Sequence, residues 1–428
     1  MKYKPVNPLL FCKNRKKLAG KLSKNSITIV NSNDAMPRNG DQTFPFRQSS
    51  DIFYLTGIEQ EETVLILFPD CELKPMRELL FISDRNEHLE TWYGRKLTIE
   101  EARSISGIET ILFLSQFEST LRDLVLRAKT IYLNSNEAPK FSTEIISRDR
   151  RMFTKLQQEY PLHTFDRLAP LITELRLQKE PEEVELLKKA CVITREAFLR
   201  ALKLTRNGMK EYEIEAEITH EFIRQGASGH AYAPIVASGS NALCLHYVQN
   251  DAECKDGELL LLDFGAEYAN YAADLSRTIP VSGRFTPRQK ECYNAVLSVM
   301  DEIKQYFRPG TTIEELNKQT NRLLEEQMIK LGLFNRNDVE NQPADKPMYF
   351  RYFMHGVAHF IGLDVHDCGN RQVVLKPGMV LSCEPGIYIK EENIGIRIEN
   401  DILITSSEPI DLMADIPIKI EEIEELMK

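Results

Sequence analysis

From residue 11 to about 163, short apolar runs rich in β-branched residues, SITIV at 26–30, TVLILF at 63–68 and ELLFI at 78–82, alternate with polar stretches of helical period such as 118–129. That alternation predicts strands and helices interleaved in an α/β domain. At 168–183, LAPLITELRLQKEPEE predicts a short helix, a polar break and a new helix opening at Pro181. Proline fits the first helical turn, and the acidic residues after it favour the positive end of the helix dipole. The boundary is placed there, giving domains at 1–167 and 168–428, as expected of a chain too long for one core of ordinary size.

The second domain carries an internal repeat. Helical periodicity runs to about Leu204 and is followed by TRNGMKEYEIEAEITHEFIRQG at 205–226; it returns at 286–307 and is followed by RPGTTIEELNKQTNRLLEEQMIKLG at 308–332. With Gly208 set against Gly310, Glu213 meets Glu315, Ile214 meets Leu316 and Phe222 meets Leu324. Each copy predicts a helix, a glycine turn and a second helix, then paired strands. Two copies are too few for a solenoid and predict a pseudo-twofold domain with its site between the halves.

Those paired strands carry the unusual chemistry. LLLLDFGAEYANYAADLSRT at 259–278 sets Asp263 and Asp274 among apolar neighbours, and VLSCEPGIYIKEENIGIRIEN at 380–400 does the same for Glu384 and Glu399. A hairpin turn at Ala269 and Asn270 puts Tyr268 opposite Tyr271 and Asp263 opposite Ser276, leaving Asp263 and Asp274 as diagonal neighbours on one face. A turn at Glu391 and Glu392 puts Glu384 opposite Glu399, with Gly386 and Arg397 as the next pair. Inward carboxylates without counter-charge would repel and take up protons. Two divalent cations roughly 3.5–4 Å apart remove that problem. With a histidine added from YFMHGVAHFIGLDVHDCGN at 352–370, the shell is oxygen-rich and suits Mn2+ first, with Co2+, Fe2+ or Zn2+ as alternatives. His355 and His359 have the spacing of a zinc metalloprotease helix, but Gly356 stands where that motif needs glutamate, which rejects it. His246 and His366 are the better candidates for substrate contact and proton transfer; His88, His163 and His220 read as ordinary surface or core residues.

Composition narrows the function classes. A net charge of −10, from 54 basic and 64 acidic residues, argues against a nucleic-acid partner, whose phosphates need neutralising. Eight cysteines with no C-x-x-C pair predict reduced, mostly buried thiols. No apolar run has the length of a signal peptide or membrane span, so a cytoplasmic protein without a membrane partner is expected. The segments at 36–57 and 90–96, the latter holding the only tryptophan, Trp92, read most simply as loops with packed aromatics.

Through FMHGVAHFIGLDVHD, LLDFGAEY with ADLSRTIPVSG, LKPGMVLSCEPGIYI and NIGIRIEND, the chain resembles the aminopeptidase P (Xaa-Pro aminopeptidase) family of pita-bread metallopeptidases, which also include prolidase and methionine aminopeptidase. PFRQSSDIFYLTG and TWYGR resemble that family's N-terminal companion domain, which methionine aminopeptidases generally lack. The resemblance implies hydrolysis of the bond between an N-terminal residue and a penultimate proline by a hydroxide bridging two metals. Asp263 would hold one metal, Asp274 and Glu399 would bridge both, and His359 and Glu384 would complete the second, with Glu384 also the general base. His246 and His366 would flank the scissile bond, His355 would be a further active-site histidine, and Tyr388 and Arg397 would support the site. Trp92 would close the proline pocket, supplied by a neighbouring copy in a dimer or tetramer. The short link from HDCGN to RQVVLKPG and the polar insert at 335–347 depart from relatives at the cleft entrance. Prolidase, restricted to Xaa-Pro dipeptides, is the alternative enzyme. A metal-free pita-bread peptide binder is the alternative from another class, disfavoured by the presence of all five ligand positions.

Overall fold

The computed structural model describes residues 2–138, 143–343 and 345–428, so Ala344 of the 335–347 insert lies outside the described residues. The chain forms two compact units, one spanning Lys4–Arg176 and the other Leu177–Lys428, which also takes Lys2 and Tyr3. The dividing point follows Arg176, not Arg167. Helix Ala169–Leu177 is tied into the first unit by Arg176 Nη1 donating to Asp51 at 2.7 Å and by Lys21 pairing with Glu174 at 2.8 Å. The break in the polar sequence at 178–180 marks where contacts change partner, and the helix before it stays with the strands it follows.

In the first unit, six strands lie in the order Thr110–Phe113, Glu78–Ile82, Val64–Leu67, Ser26–Asn31, Thr130–Leu133, Thr164–Arg167. The central strand runs antiparallel to Val64–Leu67 and parallel to Thr130–Leu133. Strands Ser26–Asn31 and Val64–Leu67 are buried along their whole length, the pattern of strands covered on both faces. Ile27, Ile29, Ile66 and Phe81 pack with Phe117, Leu121 and Leu124 of helix Phe117–Val125. Each such side chain, fully buried, contributes ~1.5–3 kcal/mol. The 90–96 segment is not a packed loop: Trp92 ends a helix, Glu87–Tyr93, and is 72% exposed. That helix forms because Asn86 caps it and Glu87 and Glu90 sit in its first turn.

The second unit contains the repeat. Helices Pro181–Leu204 and Glu211–Arg224 are matched by Pro287–Ile303 and Ile313–Lys330. Between the members of each pair stand Gly208 (φ +87°) and Gly310 (φ +94°), in backbone open to glycine and strained for other residues. The second helix of each copy starts with a glutamate turned back onto the residue before it: Lys210 N donates to Glu213 at 2.7 Å and Thr312 N to Glu315 at 2.8 Å, and only Thr312 returns the bond, its Oγ1 accepting from Glu315 N at 3.2 Å. In the first half, strands Ile235–Ser238, Leu259–Phe264 and Leu275–Pro280 form one antiparallel sheet. In the second, Val380–Cys383 pairs with Asn400–Leu403, and Gly386–Ile389 with Ile394–Arg397. The first hairpin turns at Ala269 (φ +50°) and Asn270 (φ +64°) with Tyr268 opposite Tyr271, a two-residue turn whose positive angles match the strand twist. The second closes over a longer loop, Lys390–Glu392 and then Asn393 at φ +51°, and still pairs Gly386 with Arg397.

Candidate metal centre

The strand registers decide where the carboxylates meet. Asp263 pairs with Ser276 and Phe264 with Leu275, which leaves Asp274 one step beyond and diagonal to Asp263. Cys383 pairs with Asn400 and Gly386 with Arg397, so Glu384 and Glu399 face each other in the gap between two short ladders. The halves join at this point: Ser276 Oγ donates to Glu399 Oε2 at 2.7 Å, and Glu399 N donates to Ser276 O at 3.0 Å. His359 lies in extended chain against the Val380–Cys383 strand, with its N donating to Ser382 Oγ at 3.0 Å and its O accepting from Ser382 N at 2.9 Å. Its Nε2 stands 3.3 Å from Asp274 Oδ2 and 3.6 Å from Glu384 Oε1. Ligand atoms of Asp274, His359 and Glu399 lie within 4.8 Å of one another, close enough for one cation.

Burial governs the charges. It pushes the Glu384 carboxyl up to about 7 and, with the charges of Asp274 and Glu384 added, the Glu399 carboxyl well above the usual carboxylate range. Asp274 is raised by burial and drawn back by its bond to His359. Burial alone would lower the His359 imidazole, but Asp274 and Glu384 hold it at about 9. Arg397, 4% exposed, places a cation here through its Nη2 bond to Asp263 Oδ2. Four carboxylates with one guanidinium and one imidazole remain short of positive charge, so this donor set fits divalent cations that pair the carboxylates without protonating them.

Around the cluster, Arg397 Nη1 donates to Tyr388 Oη at 2.8 Å, and Tyr388 Oη lies 2.9 Å from His355 Nε2. His355 Nδ1 lies 2.8 Å from Gly356 O. A carbonyl only accepts, so Nδ1 carries the hydrogen and Nε2 accepts from Tyr388. Burial and the Arg397 charge lower His355 to about 3 and keep it neutral. With both ring nitrogens engaged and Tyr388 only 3% exposed, His355, Tyr388 and Arg397 form a supporting relay behind the carboxylates. His246 is exposed and close enough to His355 for its charge to act there. His366, also exposed, sets its ring edge-on to that of His359 with centroids 4.4 Å apart. Trp92 belongs to the first unit.

Sequence reasoning missed Tyr232. Its hydroxyl is within hydrogen-bonding distance of both Asp263 Oδ1 and Asp274 Oδ1, and burial with those two charges raises its pKa well above the ordinary phenol value. It sits in AYAPIV, just before the Ile235–Ser238 strand, where nothing local distinguishes it from a packing tyrosine. Ser276 and Ser382 were likewise unremarked; counting the hairpin put Ser276 opposite Asp263, which was the available signal.

The model of metallopeptidase family M24 matches residues 185–406, and that of the aminopeptidase P N-terminal domain matches residues 11–132. The chain belongs to metallopeptidase family M24. Within the family it is 37% identical to the Xaa-Pro aminopeptidase of Escherichia coli (strain K12), over 97% of each chain. It is 34% identical to the Xaa-Pro aminopeptidase of Haemophilus influenzae, over 97% of this chain and 96% of that one. The solved structure of zinc-substituted E. coli aminopeptidase P in complex with product superposes with a TM-score of 0.89 at 34% identity, covering 99% of both chains. The N-terminal unit followed by a pita-bread catalytic unit is thus the architecture of aminopeptidase P, and divalent metal binding goes with the family.

Proposed function

We propose that the chain is a metal-dependent aminopeptidase that removes an N-terminal residue preceding proline. The observation that carries this reading is the largely buried cluster of Asp263, Asp274, His359, Glu384 and Glu399, in a chain matched over 97% of its length by Xaa-Pro aminopeptidases. Asp263, Asp274, His359, Glu384 and Glu399 would hold the two metals, with Asp274 and Glu399 serving both. When bound, two divalent cations supply Lewis acidity and lower the pKa of water toward neutrality. Glu384 takes the nucleophile's proton and returns it to the leaving nitrogen. His246 and His366, both exposed, hold the scissile group and donate to its developing negative charge. The carboxylates draw in the free amine. A bond before proline has no N–H to grip, so ring shape and the amine anchor supply the positioning.

The proposal includes manganese as resident metal, since four carboxylates and one imidazole form a hard shell. It includes a cytoplasmic setting, supported by free cysteines throughout the described residues; no helix of the described residues is long and apolar enough to cross a membrane. It also includes a dimer or tetramer in which the exposed Trp92 closes the proline pocket of a neighbouring copy. The test incubates Arg-Pro-Pro, acetyl-Arg-Pro-Pro and the dipeptide Gly-Pro with the manganese-loaded protein and reads products by mass spectrometry. Release of arginine from the free tripeptide alone is expected. Cleavage confined to Gly-Pro would make the chain a prolidase, and equal cleavage of the acetylated peptide would refute an aminopeptidase.

A further inference from the structure

Away from the carboxylate cluster, the second unit buries a second group of charges that the chemistry above does not use. Lys179 Nζ and Asp367 Oδ2 are 3.0 Å apart, with both side chains 1% exposed. Glu183, also 1% exposed, lies near enough for both charges to act on it and accepts from Tyr271 Oη at 2.9 Å. A buried ion pair of this kind does no more for stability than apolar side chains of the same volume, and its best-attested use is to fix one arrangement among several. What it fixes here is specific. Asp367 directly follows His366, on a segment of irregular chain where Ala272 N donates to Gly362 O at 2.9 Å and Asp367 N to Phe360 O at 2.8 Å. Lys179 is itself anchored, its N donating to Gly378 O at 2.8 Å. The fit is tight: a Cβ added at Gly362 would lie 2.1 Å from Asp367 Oδ2 and 3.0 Å from Lys179 Cε.

We propose that the buried Lys179–Asp367 ion pair is a positioning device that locks the 362–370 segment so that His366 stands against His359 at the mouth of the metal cluster. Lys179 and Asp367 touch neither metal nor substrate; they act through His366, and the inference rests on the role given to His366 above. It follows that loosening the pair loosens the hold on His366 while leaving the ligand strands in place.

The principal variant is the neutral pair Lys179→Gln/Asp367→Asn, which leaves no orphaned charge. Gly362→Ala is the second variant, since its methyl displaces the pair sterically, at a backbone angle open to alanine, with both charges kept. For whichever folds, amide hydrogen exchange across 362–370 should quicken by about tenfold with the ligand strands unaltered. Bound manganese should stay at the wild-type level. Turnover should fall by about tenfold to a hundredfold through kcat with little change in KM, and the loss should vanish when the variant is combined with His366→Ala. Unchanged exchange in 362–370, or a penalty that adds in full to that of His366→Ala, would overturn the inference. Failure of the wild-type protein to cleave Xaa-Pro peptides would instead sink the proposed function, and the exchange measurement would then decide the positioning claim by itself.

Discussion

The two halves of the catalytic unit repeat one framework and fill it differently. The first presents Asp263 on a six-pair ladder and Asp274 just past its end, in a gap before the short Glu267–Ala272 and Tyr268–Tyr271 pairs that a two-residue turn closes. The second presents both of its glutamates in the gap, between a ladder ending at Cys383 and one beginning at Gly386. A short side chain on a ladder, as at Asp263, has its direction set by the strand register. A longer one at a break must be fixed by neighbours, and the neighbour comes from the other half: Ser276 of the first half donates to Glu399 of the second, while Arg397 of the second donates to Asp263 of the first. Neither half is a site by itself. Duplication supplied the frame, and the chemistry arose from the cross-connections.

The sharpest way to break this comparison is to remove the aspartate proposed to serve both metals. Asp274→Ala should lower activity by about a thousandfold or more and reduce bound manganese; near-normal turnover with two metals retained would show that the halves bind separately. Next come the exposed histidines, one from each half. His246→Ala and His366→Ala should each cut kcat by about a hundredfold with metal content intact, read by steady-state kinetics beside metal analysis. Metal loss in either would make that histidine a ligand and unbalance the halves.

A smaller effect sharpens the cross-connection. Ser276→Ala removes the first half's hydrogen bond to Glu399, and Tyr232→Phe removes the hydroxyl shared by Asp263 and Asp274. Each should weaken manganese binding by about tenfold to a hundredfold in a chelator competition. Wild-type affinity in Ser276→Ala would mean that the ladder break needs no support from across the unit.

The smallest effect lies outside both halves and serves as a control. Burial raises Asp149, in the first unit, to about 6, against the pull of its bond from Asn31. The folded form therefore holds a proton up to about pH 6, whereas the unfolded chain releases it near 3.8. In that window the folded state binds more protons, so stability falls as pH rises, by up to ~3 kcal/mol in all, and levels off above pH ~6. Asp149→Asn should flatten that slope in urea unfolding while leaving kcat and KM as they are.

How much of this was legible in advance depends on how local the cause is. Hairpin registers were readable because the side-chain alternation of a strand admits no drift: once Ala269 and Asn270 turn, Asp263 must face Ser276. The glycines at 208 and 310 and the caps that follow them announced the repeat for the same reason, since backbone strain and orphan amides are satisfied within a few residues. Trp92 was misread because aromatic residues are usually buried, and a short capped helix with an exposed face leaves no mark that separates it from a packed loop.

The sequence by itself determined the elements, their pairing and the presence of unpaired carboxylates in apolar strands, because each is dictated by periodicity or by the cost of burying charge. Only the tertiary structure decided that Tyr232 meets two aspartates, that Ser276 and Arg397 cross between halves, and that Lys179 pairs with Asp367 across 188 residues. These contacts join elements distant in the chain, and no spacing rule links residues whose meeting depends on how whole layers pack.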